Sequence, residues 1–239
     1  MTKIYRISER GPIEEHEYML KMNFPKKLSE WDVWSYWEME RFLSMMLYVK
    51  PGDIFFDIGS EFGAISAMIQ KYLKPRMVLF EPTREFFDST KLIWELNGLE
   101  TPERVFNGFV GEKTTEEKIR ELQWKDIEPR EIEAMAYLNL NNESQREKVP
   151  TVTVDDYVGA TGLIPRVLNI DVEGAEILVI NGAVDTLKKY KPLVWLSIHS
   201  DLIKGYNSSE EKLVKRMESL GYIGELLATD HEKHLLFRP

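Results

Sequence analysis

The 239-residue chain contains no cysteine. This excludes a disulfide framework, a thiolate nucleophile and a cysteine zinc site, and it fits a reducing compartment. Positive charge is also scarce: 31 Lys and Arg stand against 40 Asp and Glu, a formal charge of −9. Phosphate contacts dominate nucleic-acid affinity and call for a basic face, so no nucleic-acid partner is expected. No apolar run approaches the length that spans a bilayer. The opening residues, MTKIYRISERGPIEEHEYMLKM, hold no apolar stretch of the signal-peptide kind. The expectation is a soluble, cytoplasmic protein with no membrane span. Repeats and low-complexity tracts are absent too, and nothing in the sequence marks an oligomeric state.

What is present is a chain of ordinary globular composition, 43% hydrophobic, long enough for one α/β domain with an extension. Residues 1–49 read as that extension and 50–239 as the domain. Residues 1 to about 29 are polar and mixed, broken at Gly11-Pro12 and Pro25, and read as irregular or as a short helical piece. From Glu30 to Tyr48, Trp31, Trp34, Trp37, Phe42, Met45 and Met46 recur near helical spacing. That helix either packs on the domain or serves as a lid whose aromatic side chains meet a substrate.

Beyond Pro51-Gly52 the pattern alternates. Short β-forming runs occupy 54–59, 77–82, 104–110, 167–174 and 193–200. Helical stretches separate them: Phe62 to Tyr72, Thr83 to Asn97, Ala175 to Tyr190, and one from Ser208 or Ser209 to Leu220. Two final runs, GYIGELLA and HLLFRP, read as a closing strand pair. Residues 112–165 form a charged insert with no strong strand, read as helices and a mobile loop plus the short element TVDDYV at 153–158. Strands alternating with helices imply a doubly wound, mostly parallel sheet. Such sheets bind ligands at the carboxyl ends of their strands. The residues to watch are therefore Asp57 to Gly63, Glu81, Asn107-Gly108-Phe109, Asp171 to Gly174 and His199 to Asp201.

The first of these loops is Asp57-Ile58-Gly59-Ser60-Glu61-Phe62-Gly63. Gly59 and Gly63 permit a tight turn and close approach of backbone to ligand. Glu81 ends the next strand, 22 residues after Gly59, the spacing at which a carboxylate grips ribose hydroxyls. The loop is not GxGxxG and has no P-loop lysine, so a nucleoside without phosphate fits better than a dinucleotide, and S-adenosylmethionine is such a ligand. The bland alternative is a structural turn beside a solvated acid.

A second cluster, Asp171-Val172-Glu173-Gly174-Ala175-Glu176, places three acids at one strand end. Asp171 could instead cap the next helix, and Glu173 and Glu176 could serve its dipole. His199 ends the fifth strand, with Asp201 two residues on, and is a candidate general base. His16, His231 and His234 lack such a context and read as surface residues. Asp171 with Asp201 or His199 also offers a ligand set for Mg²⁺ or Mn²⁺, which would acidify a hydroxyl.

DIGSEFGAIS, VLFEPTREFFDSTKLIWELNGL, VPTVTVDDYV and LNIDVEGAEILVINGAVDTLKKYKPLVWLSIH together resemble the FkbM-type methyltransferase family over about residues 50–222. The resemblance implies the class I methyltransferase fold: a Rossmann-like seven-stranded sheet, mostly parallel, with the last strand antiparallel. It implies S-adenosylmethionine as cofactor, with Asp57, Gly59, Ser60 and Gly63 on its methionine side, Glu81 on its ribose and Asn107, Gly108 and Phe109 near its adenine. Asp171, Glu173 and His199 would face the acceptor, with Asp171 bordering both ligands. The chain departs from the usual pattern at Ser60-Glu61, where Ala-Asn is common, and at Asn169, where Lys is frequent.

The expected reaction is in-line transfer of a methyl group to a hydroxyl of a sugar, glycan or small natural product. Rival readings are a non-catalytic nucleoside-binding module, a nucleic-acid methyltransferase and a nicotinamide-dependent oxidoreductase. Cofactor choice, charge and the effect of His199→Ala or Asp171→Ala on transfer separate them.

Overall fold

The computed structural model describes residues 2–10, 15–26, 36–131, 149–229 and 232–239, with side chains from Lys21 onward and, in the first helix, from Met39. The chain opens with an antiparallel hairpin, β1 Thr2–Arg10 and β2 Glu15–Asn23. This corrects the expectation of an irregular or helical start. Gly11-Pro12 lies between two runs of strand-forming residues, and a breaker in that position marks a hairpin as readily as an end. Helix α1, Tyr36–Tyr48, follows. Trp31, Trp34 and the side chain of Trp37 lie outside the described residues, and with them most of the aromatic lid surface.

The domain then alternates strand and helix: β3 Ile54–Ile58, α2 Ala64–Leu73, β4 Arg76–Glu81, α3 Arg84–Asn97, β5 Arg104–Asn107. A short pair, β6 Phe109–Val110 and β7 Thr151–Val152, precedes α4 Val154–Thr161. Then come β8 Val167–Ile170, α5 Glu176–Asn181, α6 Val184–Tyr190, β9 Leu193–Ile198, α7 Glu210–Ser219, β10 Ile223–Thr229 and β11 Lys233–Arg238. The large sheet has seven strands in the order β10-β11-β9-β8-β3-β4-β5. Pairs among β5, β4, β3, β8 and β9 are parallel. β11 runs antiparallel to both of its neighbours, β9 and β10. Strand order reverses beside β3, so its carboxyl end opens the ligand crevice.

Both faces of the sheet are covered, which is why the strands read as continuous apolar runs. On one face Phe55, Leu79, Trp195 and Leu236 pack with α1, α2, α3 and the end of β2, through Met22, Phe24, Phe42 and Met45. On the other, Phe56, Phe80, Val194 and Phe237 pack with Tyr157 of α4, Val179 of α5, Leu187 of α6 and Leu213 of α7. Tyr157 sits edge-on to Phe56, Phe80 and Phe106, and its hydroxyl donates to Glu121 at 2.5 Å.

Two local expectations change, and a third sharpens. The 104–110 run is two strands, because Phe109–Val110 leaves the large sheet to pair with Thr151–Val152. TVDDYV is the start of a helix, with Thr153 accepting from the Asp156 amide at 2.9 Å as its cap. The stretch from Ala175 to Tyr190 is two helices, broken at Gly182, where a Cβ would lie 2.0 Å from the Gly111 carbonyl oxygen. Among the described residues no helix is long and apolar enough to cross a membrane.

Candidate active site

The loop after β3 is braced before any ligand arrives. Asp57 is buried and accepts from Ser66 Oγ at 2.5 Å and Asn169 Nδ2 at 2.8 Å. Burial raises its pKa despite these bonds. Asn169 is thus a partner of Asp57. Gly59 has φ +86°, and a Cβ on it would lie 1.7 Å from the Asp171 carbonyl oxygen. Only glycine permits this contact between the first loop and the β8 loop. Ser60 Oγ is buried with no hydrogen-bond partner among the described residues, a cost that a bound polar ligand would remove. Gly63 opens α2 and faces the Thr90 side chain of α3.

Glu81 ends β4 and is buried. Its carboxylate accepts from the amides of Glu61 (3.0 Å) and Thr83 (2.8 Å). Burial, only partly offset by these bonds, carries its pKa from an ordinary 4.5 to about 7. Asn107 Nδ2 donates to the carbonyls of Glu81 and Pro82, both at 2.9 Å, and the Gly108 amide donates to the Glu81 carbonyl at 3.1 Å. Phe109 packs with Ala175 and Val172 behind the β8 loop. The residues expected around a nucleoside thus lie along the carboxyl ends of β3, β4 and β5.

At the carboxyl ends of β8 and β9 lies a network of charge. Arg41 of α1 is buried, and its Nη1 donates to Asp171 Oδ2 (2.9 Å) and Ser197 Oγ (2.8 Å). Ser197 Oγ also donates to Asp171 Oδ2 (3.2 Å) and lies 3.0 Å from His234 Nδ1. His199 Nδ1 donates to Glu176 Oε1 at 2.7 Å. Its Nε2 lies 2.8 Å from Glu232 Oε2, 3.5 Å from Asp171 Oδ1 and 3.7 Å from Glu173 Oε2. Burial pulls the imidazole down, but Glu176, Glu232 and Asp171 outweigh it and its pKa rises to about 11. For Asp171, burial is overcome by Arg41 and His199, which hold it below its ordinary value. Burial raises Glu173, whose side chain is 55% exposed at the mouth of the cluster and whose φ is +50°.

Asp171, Glu173 and His199 are therefore brought together. Two readings are corrected. Asp201 is not part of the cluster: its side chain is 94% exposed and pairs with Lys204 at 3.1 Å, because it sits in the turn beyond β9. Glu232 takes that place. His234 is fully buried rather than on the surface, since it lies within β11 opposite Ser197. Glu176 lies in the first turn of α5 and is fully buried against His199. The side chain of His16 and all of His231 lie outside the described residues. Sequence reasoning missed Arg41, Ser197 and Glu232. A signal existed for Arg41: it shares a helical face with Met45 and Tyr48, an apolar stripe in which one cation must find a buried anion.

Comparison with known proteins agrees with this layout. The model of the methyltransferase FkbM domain matches residues 57–223. No curated protein matches the chain in sequence. The methyltransferase FkbM of Methylobacillus flagellatus KT is similar in structure, with a TM-score of 0.56, 16% identity and coverage of 87% of this chain. This chain spans 49% of that protein's length. A precorrin-6y C5,15-methyltransferase of Geobacter metallireducens GS-15 superimposes with a TM-score of 0.50 at 12% identity, covering 90% of this chain and 93% of its own. These similarities show the class I methyltransferase fold. With the family model covering more than half of its residues, the chain belongs to the FkbM methyltransferase family.

Proposed function

We propose that the chain is an S-adenosylmethionine-dependent O-methyltransferase acting on a hydroxyl of a sugar, glycan or small natural product. One observation carries this reading: Gly59 of the first loop abuts the backbone of Asp171, so a cofactor site and an acidic acceptor site meet at one point. The cofactor side fits the ligand. Ser60 Oγ is a buried hydroxyl with no hydrogen-bond partner among the described residues, Gly59 lets backbone approach closely, and Glu81 waits at the next strand end for ribose hydroxyls. S-adenosylmethionine, when bound, supplies the methyl group as an electrophile.

The protein's own contribution is positioning and proton removal. Arg41 and Ser197 fix Asp171 beside the cofactor loop. Both ring nitrogens of His199 face buried carboxylates, Glu176 and Glu232, so the imidazole serves as an anchor rather than as the free base expected from the sequence. Glu173 presents its carboxylate at the mouth and is the group placed to receive the acceptor's hydroxyl proton. The acidic rim and the −9 charge favour a neutral, polyhydroxylated acceptor over a polyanion.

Calorimetric titration with S-adenosylhomocysteine, against NAD and with Glu81→Ala, tests the cofactor. Binding of the first alone, lost in the variant, is expected. Binding of NAD, or of neither, would remove the methyltransferase reading. Screening glycosides for methyl transfer then tests the acceptor. Tight cofactor binding with no transfer to any hydroxyl would favour a non-catalytic module.

A further inference from the structure

We propose that Asp171, His199 and Glu232 bind a divalent cation of the Mn²⁺ class at the acceptor side of the site. The three residues offer ligand atoms that all lie within 4.8 Å of one another. Two hard carboxylate oxygens and one imidazole nitrogen suit Mn²⁺ or Mg²⁺ better than a thiophilic ion. The residues come from three separate places in the fold: the end of β8, the end of β9 and the start of β11.

The surroundings point the same way. Glu176 is fully buried, and its Oε1 accepts from both the Gly174 amide (2.9 Å) and His199 Nδ1 (2.7 Å). A carboxylate on one imidazole nitrogen, leaving the other nitrogen turned toward the ligand carboxylates Asp171 and Glu232, is the outer-shell arrangement of metal-ligating histidines. Glu176 Oε2 has no hydrogen-bond partner among the described residues, so its charge is only half satisfied. Four carboxylates, Asp171, Glu173, Glu176 and Glu232, converge on His199. Among the described residues, the basic groups beside them are Arg41, His199 and His234.

For the transfer proposed above, the ion would hold the acceptor oxygen beside Asp171 and weaken its O–H bond. The proton would pass to Glu173, which faces the same Nε2 at 3.7 Å and stays outside the ligand set. That role rests on the O-methyltransferase reading, but ion binding does not, so the two are measured apart.

MnCl₂ alone is titrated into the full chain by calorimetry and by loss of the free-ion electron paramagnetic resonance signal, without cofactor. One ion per chain is expected. Glu176→Gln should weaken it roughly 10–100-fold, Glu232→Gln should weaken it more, and Asp201→Asn should leave it unchanged. Circular dichroism melting checks that each variant is folded. Should Glu232→Gln fail to fold, Asp171→Asn replaces it. No binding of Mn²⁺, Mg²⁺ or Zn²⁺ to the wild type, or binding untouched by loss of either carboxylate, overturns the site. Failure of S-adenosylhomocysteine to bind in the separate titration would sink the transferase reading and leave the ion site standing.

Discussion

Arg41 and Asp171 stand 130 residues apart in the chain, yet Nη1 of one lies 2.9 Å from Oδ2 of the other. The pair ties α1 to the end of β8 and leaves Arg41 only 2% exposed. Replacing one partner of a buried pair strands the other. Arg41→Met should therefore cost about 3 kcal/mol, at the lower end of such changes because Asp171 keeps 22% exposure. Urea unfolding reads this directly. An unchanged midpoint would mean that the bridge does not form in solution.

Glu81 should make stability depend on pH in an unusual direction. Its folded pKa, about 7, lies above the ordinary 4.5, so between these values the folded chain holds a proton that the unfolded chain has lost. The contribution is full below pH 4.5 and fades as pH rises through 7. It amounts to at most about 3 kcal/mol. Melting curves of wild type and Glu81→Gln between pH 4.5 and 8 should diverge accordingly, with the variant flatter. Cofactor affinity should run the other way. Ribose hydroxyls donate to the ionised carboxylate, so S-adenosylhomocysteine should bind up to about tenfold more weakly per unit below pH 7.

Gly59→Ala tests the contact between the two loops. An L-residue at φ +86° costs about 1–2 kcal/mol, and its Cβ would collide with the Asp171 carbonyl for about 1–3 kcal/mol more. Reduced stability with loss of cofactor binding is the expected pair of results. A stable variant with native affinity would show that the loops are not in contact.

Glu173→Gln should lower kcat by about 10²–10⁴-fold, the range for losing a positioned base, while leaving S-adenosylhomocysteine affinity within twofold, or roughly 0.4 kcal/mol. A variant that loses affinity and keeps its rate would assign Glu173 to the cofactor instead.

The carboxyl-end rule for parallel sheets makes half of this site legible from the sequence. Asp57, Glu81, Asp171 and His199 each end a strand that reads as an apolar run, and the rule places all four in one crevice. Glu232 escapes it for a geometric reason. β11 is antiparallel to its neighbours, so its beginning, not its end, lies at the crevice rim, and a residue just before a strand becomes a site residue. Ser197 and His234 escape because they pair within the sheet interior, which no local pattern announces. Asp201 misleads because proximity in sequence to His199 says nothing of direction once the chain has turned. The N-terminal hairpin is hidden by short runs in which charged and apolar residues mix, a weaker signal than the long runs of the buried sheet.

The position of β11 also bears on how the molecule assembles. β10 hydrogen-bonds to the rest of the sheet only through β11, and β11 enters between two strands that precede it in the chain. A nascent chain extending from its amino end forms the first loop, Glu81 and the β8 loop before this hairpin exists. Glu232 arrives with the hairpin, so a chain without it holds Asp57, Glu81 and Asp171 but lacks the carboxylate that faces His199 Nε2. On the proposed site, closure of the sheet and completion of the acceptor side are then the same event.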